Sequence, residues 1–335
     1  MSSLSNTELY SESADDFTYM KSLGLESNIS TAAAEKVFYY HHDLKHWNAS
    51  FPILVLIHGY PQSSFMWRHI IPLLPTTMPL FIPDVPGYGR SAPLEISHSK
   101  INTGLAILNI LSTLIPQPSS IQPYPIILAG HDRGAHISQR LTVSAPHPSF
   151  KIIGTILLDI TPSLTRWSSF STPTVSVGGF HWPFLANASL AISMITAFGG
   201  DKWAEFCLER WSGNSASALA KFKDNNAWDV YTKDFKRESV VTASCDDYRA
   251  GAEEDVLLQE QDQKAGRKMD CPVLKIYSEL FLGSKYDMRA VWEEFVGKDG
   301  KLELVSVGVG VGHFVAEEAP VETAEAMIRF YQRMS

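Results

Sequence analysis

Apolar residues in this chain gather in six short runs, each closed by a glycine, a proline or a polar residue. Residues 53–57 (ILVLI) end at His58-Gly59, residues 80–83 at Asp84, residues 126–129 at Gly130 and residues 155–158 at Asp159. Residues 273–277 and 302–307 complete the set, interrupted by Lys275, Glu303 and Ser306. A strand with one wet face alternates apolar and polar positions. The first four runs are nearly continuous, so both faces of each are expected to be covered. Apolar residues at helical spacing fill 104–115, 135–145 and 321–332. Strands and helices in alternation predict an α/β fold, a mostly parallel sheet flanked by helices. KVFYYHHDL at 36–44 predicts a further strand, opening the sheet as an antiparallel edge.

The pattern changes between 164 and 250. No buried strand is legible there, and Trp167, Trp182, Trp203, Trp211 and Trp228 stand in Gly-rich, helical text. This predicts a helical cap over 164–250, inserted into a core of 1–163 and 251–335. In open α/β sheets ligands sit beyond the carboxyl ends of the strands. A cap leaving the chain after the Asp159 strand would roof that crevice.

Composition narrows the function. With 335 residues, 45% of them hydrophobic and 19% charged, the chain can build a large core. A net charge of −8 and the lack of a basic cluster argue against nucleic acid or an anionic membrane as partner. The first 28 residues are polar and acidic, without the apolar stretch of a secretory signal, which predicts a cytoplasmic protein. No apolar run approaches the roughly 20 residues of a membrane span. Cys207, Cys245 and Cys271 lack C-x-x-C spacing and fit a reducing compartment. With no metal-ligand cluster and no phosphate-cradling loop, neither metal nor organic cofactor is expected.

Gly130-His131-Asp132-Arg133-Gly134 stands between a buried strand and a helix, where flanking glycines permit the sharp turn of a nucleophile elbow. Taken alone, an aspartate there is also a common turn or helix-cap residue. A carboxylate needs no proton removed before it attacks, and its natural target is a saturated carbon bearing a leaving group. The resulting ester then needs a base, a group to orient that base, and two donors for an oxyanion. His313 in Gly312-His313-Phe314 is the candidate base and Asp159 the candidate orienting acid, with Glu279 and Asp287 as alternatives. The backbone N–H groups of Tyr60 and Arg133 are the candidate oxyanion hole. His58, His131, Asp84 and Ser91 read as structural.

HGYPQSS, DVPGYGRS, GHDRGA, LDITPS, DYRAGA and GHFVAEEAP occur in that order. With them the chain resembles the haloacetate and fluoroacetate dehalogenases, close relatives of the epoxide hydrolases, from about residue 36 to its end. The resemblance implies a hydrolase acting on a small molecule, a halogenated carboxylic acid or an epoxide, and a possible homodimer. It assigns the halide cradle to His181, Trp182 and Tyr248, and a substrate-carboxylate contact to Arg133. The family's elbow carries a second clamp arginine where this chain has His136, which can be a substrate contact or a packing residue. A mostly neutral histidine cannot fork onto a carboxylate, so fluoroacetate itself is put in doubt. An epoxide hydrolase would use the same Asp132, Asp159 and His313, with Tyr248 as the acid. A receptor without turnover on the same fold is the third possibility.

Overall fold

A computed structural model, describing residues 15–30, 36–44, 51–115, 123–144 and 147–334, sets eight strands in one sheet. They are β1 (Glu26–Ser30), β2 (Val37–His42), β3 (Ile53–Ile57), β4 (Leu80–Pro83), β5 (Tyr124–His131), β6 (Phe150–Leu158), β7 (Val273–Ser278) and β8 (Leu302–Val307). Their order is β1-β2-β4-β3-β5-β6-β7-β8, parallel from β4 to β8. All six expected apolar runs are strands. Every residue of β3 and β4 is buried, as continuous apolar text requires of a strand covered on both faces.

The edge was expected at 36–44, and here the structure differs. β2 is antiparallel to its neighbours, but it pairs with β4 on one side and β1 on the other, so β1 is the edge. Its sequence, ESNIS, carries one large apolar side chain and buries only Ser30, too polar to register as an apolar run. Residues 1–14 of the acidic lead and Ala145, the expected end of one helix, lie outside the described residues.

The three expected helices appear as Lys100–Leu114, Arg133–Ser144 and Pro320–Met334. Helices also fill the chain between β6 and β7. Glu238–Ala250 continues through a π turn, Gly251–Asp255, into Val256–Lys264, so helical structure runs past residue 250. Among the described residues no helix is long and apolar enough to cross a membrane.

The chain order along the sheet reverses at β3, which has β4 on one side and β5 on the other. That reversal opens a crevice at the carboxyl ends of β3 and β5, beside the loops that carry Tyr60 and Asp132.

Candidate active site

β5 ends at His131, the helix Arg133–Ser144 begins two residues later, and Asp132 between them makes the turn at φ 48°. A left-handed backbone costs a residue with a Cβ on the order of 1 kcal/mol, so the surroundings must impose it. They do so by close approach. A Cβ on Gly130 would lie 2.2 Å from the Gly134 carbonyl oxygen, and one on Gly134 would lie 2.2 Å from that of Ile57. Gly59 completes the contact: a Cβ there would stand 2.6 Å from that of Asp132.

The two carboxylate oxygens of Asp132 face different partners. Oδ1 accepts the Tyr60 N–H at 2.9 Å, while Oδ2 lies 3.6 Å from His313 Nε2. On the other side of the imidazole, His313 Nδ1 is 2.7 Å from Asp159 Oδ2. Asp159, itself at φ 47°, is fixed through Oδ1 by the Ser278 N–H at 2.9 Å. Burial alone would raise the Asp132 carboxyl, but its contact with His313, reinforced by His131 and Arg133, holds it far below its ordinary range. Burial likewise disfavours the charged imidazole, yet the two carboxylates raise His313 to about 9. The arrangement is an imidazolium between two carboxylates, one of which reaches the cavity with a free flank.

Backbone bonds fix His313 in place. Its N–H donates to the Trp211 carbonyl at 2.8 Å, and its carbonyl is 2.9 Å from His131 Nε2. The Glu318 carboxylate accepts from the N–H groups of Gly312 and Gly213 at 2.8 Å each and from that of Phe314 at 3.2 Å. One side chain therefore joins the His313 loop to the end of the helix Gly200–Trp211. Glu318 lies inside GHFVAEEAP, where an acidic pair in apolar text was the available signal.

A cavity of about 440 Å³ lies over this triad, lined by Asp132, Asp159, His313, His136, His181 and Trp182 among others. His181 is buried, 4.5 Å from Trp211 and 6.1 Å from Tyr248 between ring centroids, and its Nδ1 has no hydrogen-bond partner among the described residues. Trp182 and Tyr248 meet edge to face at 5.8 Å. The expected candidates thus converge, with Tyr60, Arg133 and Tyr248 packed behind the lining. Glu279 and Asp287 do not join them: the first accepts from the Ser306 hydroxyl, and the second caps the helix Met288–Glu293.

Arg133 is already paired. Its Nε donates to Asp247 Oδ2 at 2.6 Å and its Nη2 to the Asp247 carbonyl at 2.9 Å, with the guanidinium 4.2 Å from the Tyr248 ring. Lys100 also binds Asp247. A substrate carboxylate on Arg133 would meet a guanidinium whose charge Asp247 already balances; Asp247 adjoins Tyr248 in DYRAGA and gave no signal of its own in the sequence. His136 is 3.2 Å from the Ser163 hydroxyl; burial first, then Arg133, pushes it well below its ordinary range, so it is neutral. His58 and His131 serve the backbone: His58 Nε2 accepts the Val85 N–H at 2.8 Å. Asp84 accepts from Ser64 and Arg90, and Ser91 bonds the Asp84 carbonyl, so both hold a loop.

The architecture has known counterparts. A model of the Alpha/beta hydrolase family matches residues 54–326. The chain is 26% identical over 280 residues to a fluoroacetate dehalogenase of Burkholderia sp, covering 83% of this chain and 86% of that protein. It is 25% identical over 289 residues to a soluble epoxide hydrolase of Corynebacterium sp. (strain C12), covering 83% and 89%. The crystal structure of a putative alpha/beta hydrolase from Nostoc sp PCC 7120 superposes with a TM-score of 0.75 at 30% identity, over 91% of this chain and 97% of that one. With a match of that length on a sheet of this order, the chain belongs to the alpha/beta hydrolase family.

Proposed function

We propose that this protein is a haloacid dehalogenase that works through an ester on Asp132, with the helices over 164–250 acting as the cap. The observation that carries the reading is the division of labour between the two Asp132 oxygens. Oδ2 attacks the saturated carbon in line, the carbon–halogen bond breaks, and the halide leaves toward His181, Trp182 and Tyr248. Esterification removes the negative charge from Asp132. His313 then loses one of the two partners that raise its pKa, releases its proton and becomes a base.

Held by Asp159, neutral His313 takes a proton from water as the water oxygen bonds to the Asp132 carbonyl carbon. Negative charge develops on Oδ1, where the Tyr60 N–H already sits and the Arg133 N–H is the second proposed donor. Collapse breaks the ester bond, and His313 returns its proton to the departing alkoxide. The Asp132 carboxyl then passes its proton to His313, restoring the starting imidazolium and carboxylate, and the net change is R–X and water to R–OH, H⁺ and X⁻.

Epoxide opening on the same triad is the second reading, favoured by the epoxide hydrolase relative and by Tyr248 at the site. A second tyrosine, Tyr286, lines the cavity, but its hydroxyl is engaged by Arg166 at 3.1 Å and Ser169 at 3.2 Å. A receptor without turnover is opposed by the assembled nucleophile, base and acid. Mass spectrometry of a His313→Asn variant decides among these, after separate incubation with chloroacetate, 2-halopropionates, 6-bromohexanoate and styrene oxide. An acid-derived ester on the Asp132 peptide is expected. An adduct from the epoxide alone would favour the second reading, and no adduct in a folded variant would sink the ester mechanism.

A further inference from the structure

The cavity holds more positive charge than the hydrolytic steps use. Asp132 and Asp159 are both engaged by His313, while Arg166, Arg210 and Lys285 also line the cavity. Among the described residues, none of these three cations has a carboxylate within ion-pair distance. Their closest partners are neutral: Tyr286 for Arg166, the Val177 carbonyl for Arg210 at 3.5 Å, and the Phe281 ring for Lys285 at 4.3 Å. The Lys285 ammonium is held below its ordinary range, by burial first and then by Arg166.

Arg166 is the best supported of the three. Its Nη1 donates to the Tyr286 hydroxyl at 3.1 Å, and that hydroxyl reaches Ser169 at 3.2 Å. Its guanidinium lies 4.9 Å from the Phe170 ring and 5.8 Å from that of Trp182. A Cβ at Gly179 would stand 2.1 Å from its Nη2, so the glycine leaves it room. Trp182 also lies 5.4 Å from Arg133, so it adjoins two guanidiniums, of which only Arg133 is neutralised.

We propose that Arg166, with Lys285 and Arg210 beside it, binds the carboxylate of an acid whose reacting carbon lies several methylenes away, at Asp132. For the reacting end this rests on the Asp132 reading above. An α-haloacetate would bring its anion against the Asp132 carboxylate, where Arg133 is already neutralised and His136 carries no charge. A longer ω-substituted acid separates the two anions and covers the apolar lining of Ile160, Val175, Phe281 and Leu282. The cavity volume of about 440 Å³ also lies in the range of larger ligands rather than of a two-carbon acid.

The test is calorimetric binding of unreactive hexanoate, hexanamide and acetate to the full chain and to Arg166→Gln, Arg166→Lys and Tyr286→Phe variants. Hexanoate should bind at least about tenfold tighter than hexanamide or acetate. Arg166→Gln should erase the preference over the amide, and Arg166→Lys should retain part of it. Equal binding of hexanoate and hexanamide to the unaltered protein overturns the proposal, as does an Arg166→Gln variant that keeps the preference. If Arg166→Gln does not fold, the lysine and phenylalanine variants carry the same comparison: loss of preference supports the site, and full preference in both overturns it. These bindings need no turnover. Preferential hexanoate binding with no Asp132 adduct from any halo acid or epoxide would therefore fault the ester mechanism and leave the anion site standing, whereas adducts from the shorter halo acids but none from 6-bromohexanoate would overturn the proposal.

Discussion

Asp132 and His313 each stabilise the charged form of the other, and that coupling sets how the site responds to pH. His313 rises from 6.5 to about 9, so its contribution to stability is complete below its unfolded value and is lost as pH climbs through about 9. Asp132 is depressed, so its contribution holds above the ordinary carboxylate range and fades only in strong acid. In Asp132→Asn one of the two partners of His313 is gone. Melting temperature followed from about pH 6 to about pH 10 should fall less, and complete its alkaline decline at lower pH, in that variant than in the unaltered protein. Coincident profiles would mean that the two residues are not coupled in solution. Asp159 orients the imidazole from the other side, and Asp159→Asn should cut kcat by about 10³–10⁴-fold through the second chemical step. Ester accumulation on Asp132 in that variant, read by mass spectrometry, separates this effect from a failure of the first step. These three residues were legible because Asp132 and Asp159 follow the ends of apolar strand runs and His313 stands in Gly312-His313-Phe314 after the last one. Arg166, Lys285 and Tyr286 were not, because their function depends on contacts across more than a hundred residues of sequence, such as Arg166 with Tyr286.

At the scale of elements, Asp132 is placed by the meeting of β3, β5 and the helix Arg133–Ser144, and His313 by a loop tied to the helical segment. Glu318 makes that tie with three backbone N–H groups, two from the His313 loop and one from Gly213. Hydrogen bonds to a charged group contribute roughly 1.5–3 kcal/mol each net of their exchange with water, less than additively when several share one buried carboxylate. Glu318→Ala should therefore destabilise the protein by about 2–4 kcal/mol in denaturant unfolding, and slow ester hydrolysis more than ester formation. Unchanged stability together with unchanged partition between the two steps would count against the tie. The strands followed closely from the apolar pattern, with β1 the exception. An edge strand is stabilised by pairing along one side and needs little buried surface, so ESNIS carries no apolar signature.

At the scale of the whole molecule, buried charge joins the helical segment to the sheet. Asp247, on the helix Glu238–Ala250, accepts from Arg133 Nε at 2.6 Å, from Lys100 and from the Tyr88 hydroxyl at 3.2 Å. Arg133 and Lys100, with burial opposing them, hold the Asp247 carboxyl down to about 2. Removing one member of a buried pair strands its partners in a poorly solvating interior. Asp247→Asn should cost about 3–5 kcal/mol, read as a drop of several degrees in melting temperature. A change below about 1 kcal/mol would mean that water already reaches the cluster. Because Asp247 adjoins Tyr248, the same variant should also disturb the packing behind the cavity.

The sequence by itself determined the sheet, the elbow and the order of Asp132, Asp159 and His313 along it, because continuous apolar runs and the glycines around Asp132 are local requirements of backbone and solvent. It also marked His181, Trp182 and Tyr248, through motifs that resemble those of a family. Only the tertiary structure decided which charges are already paired and which remain available. Arg133 and Arg166 are equally basic in the sequence, yet folding brings Asp247 against the first and a tyrosine hydroxyl against the second. Long-range packing sets local field and solvation, and so fixes which guanidinium still has an open demand for an anion.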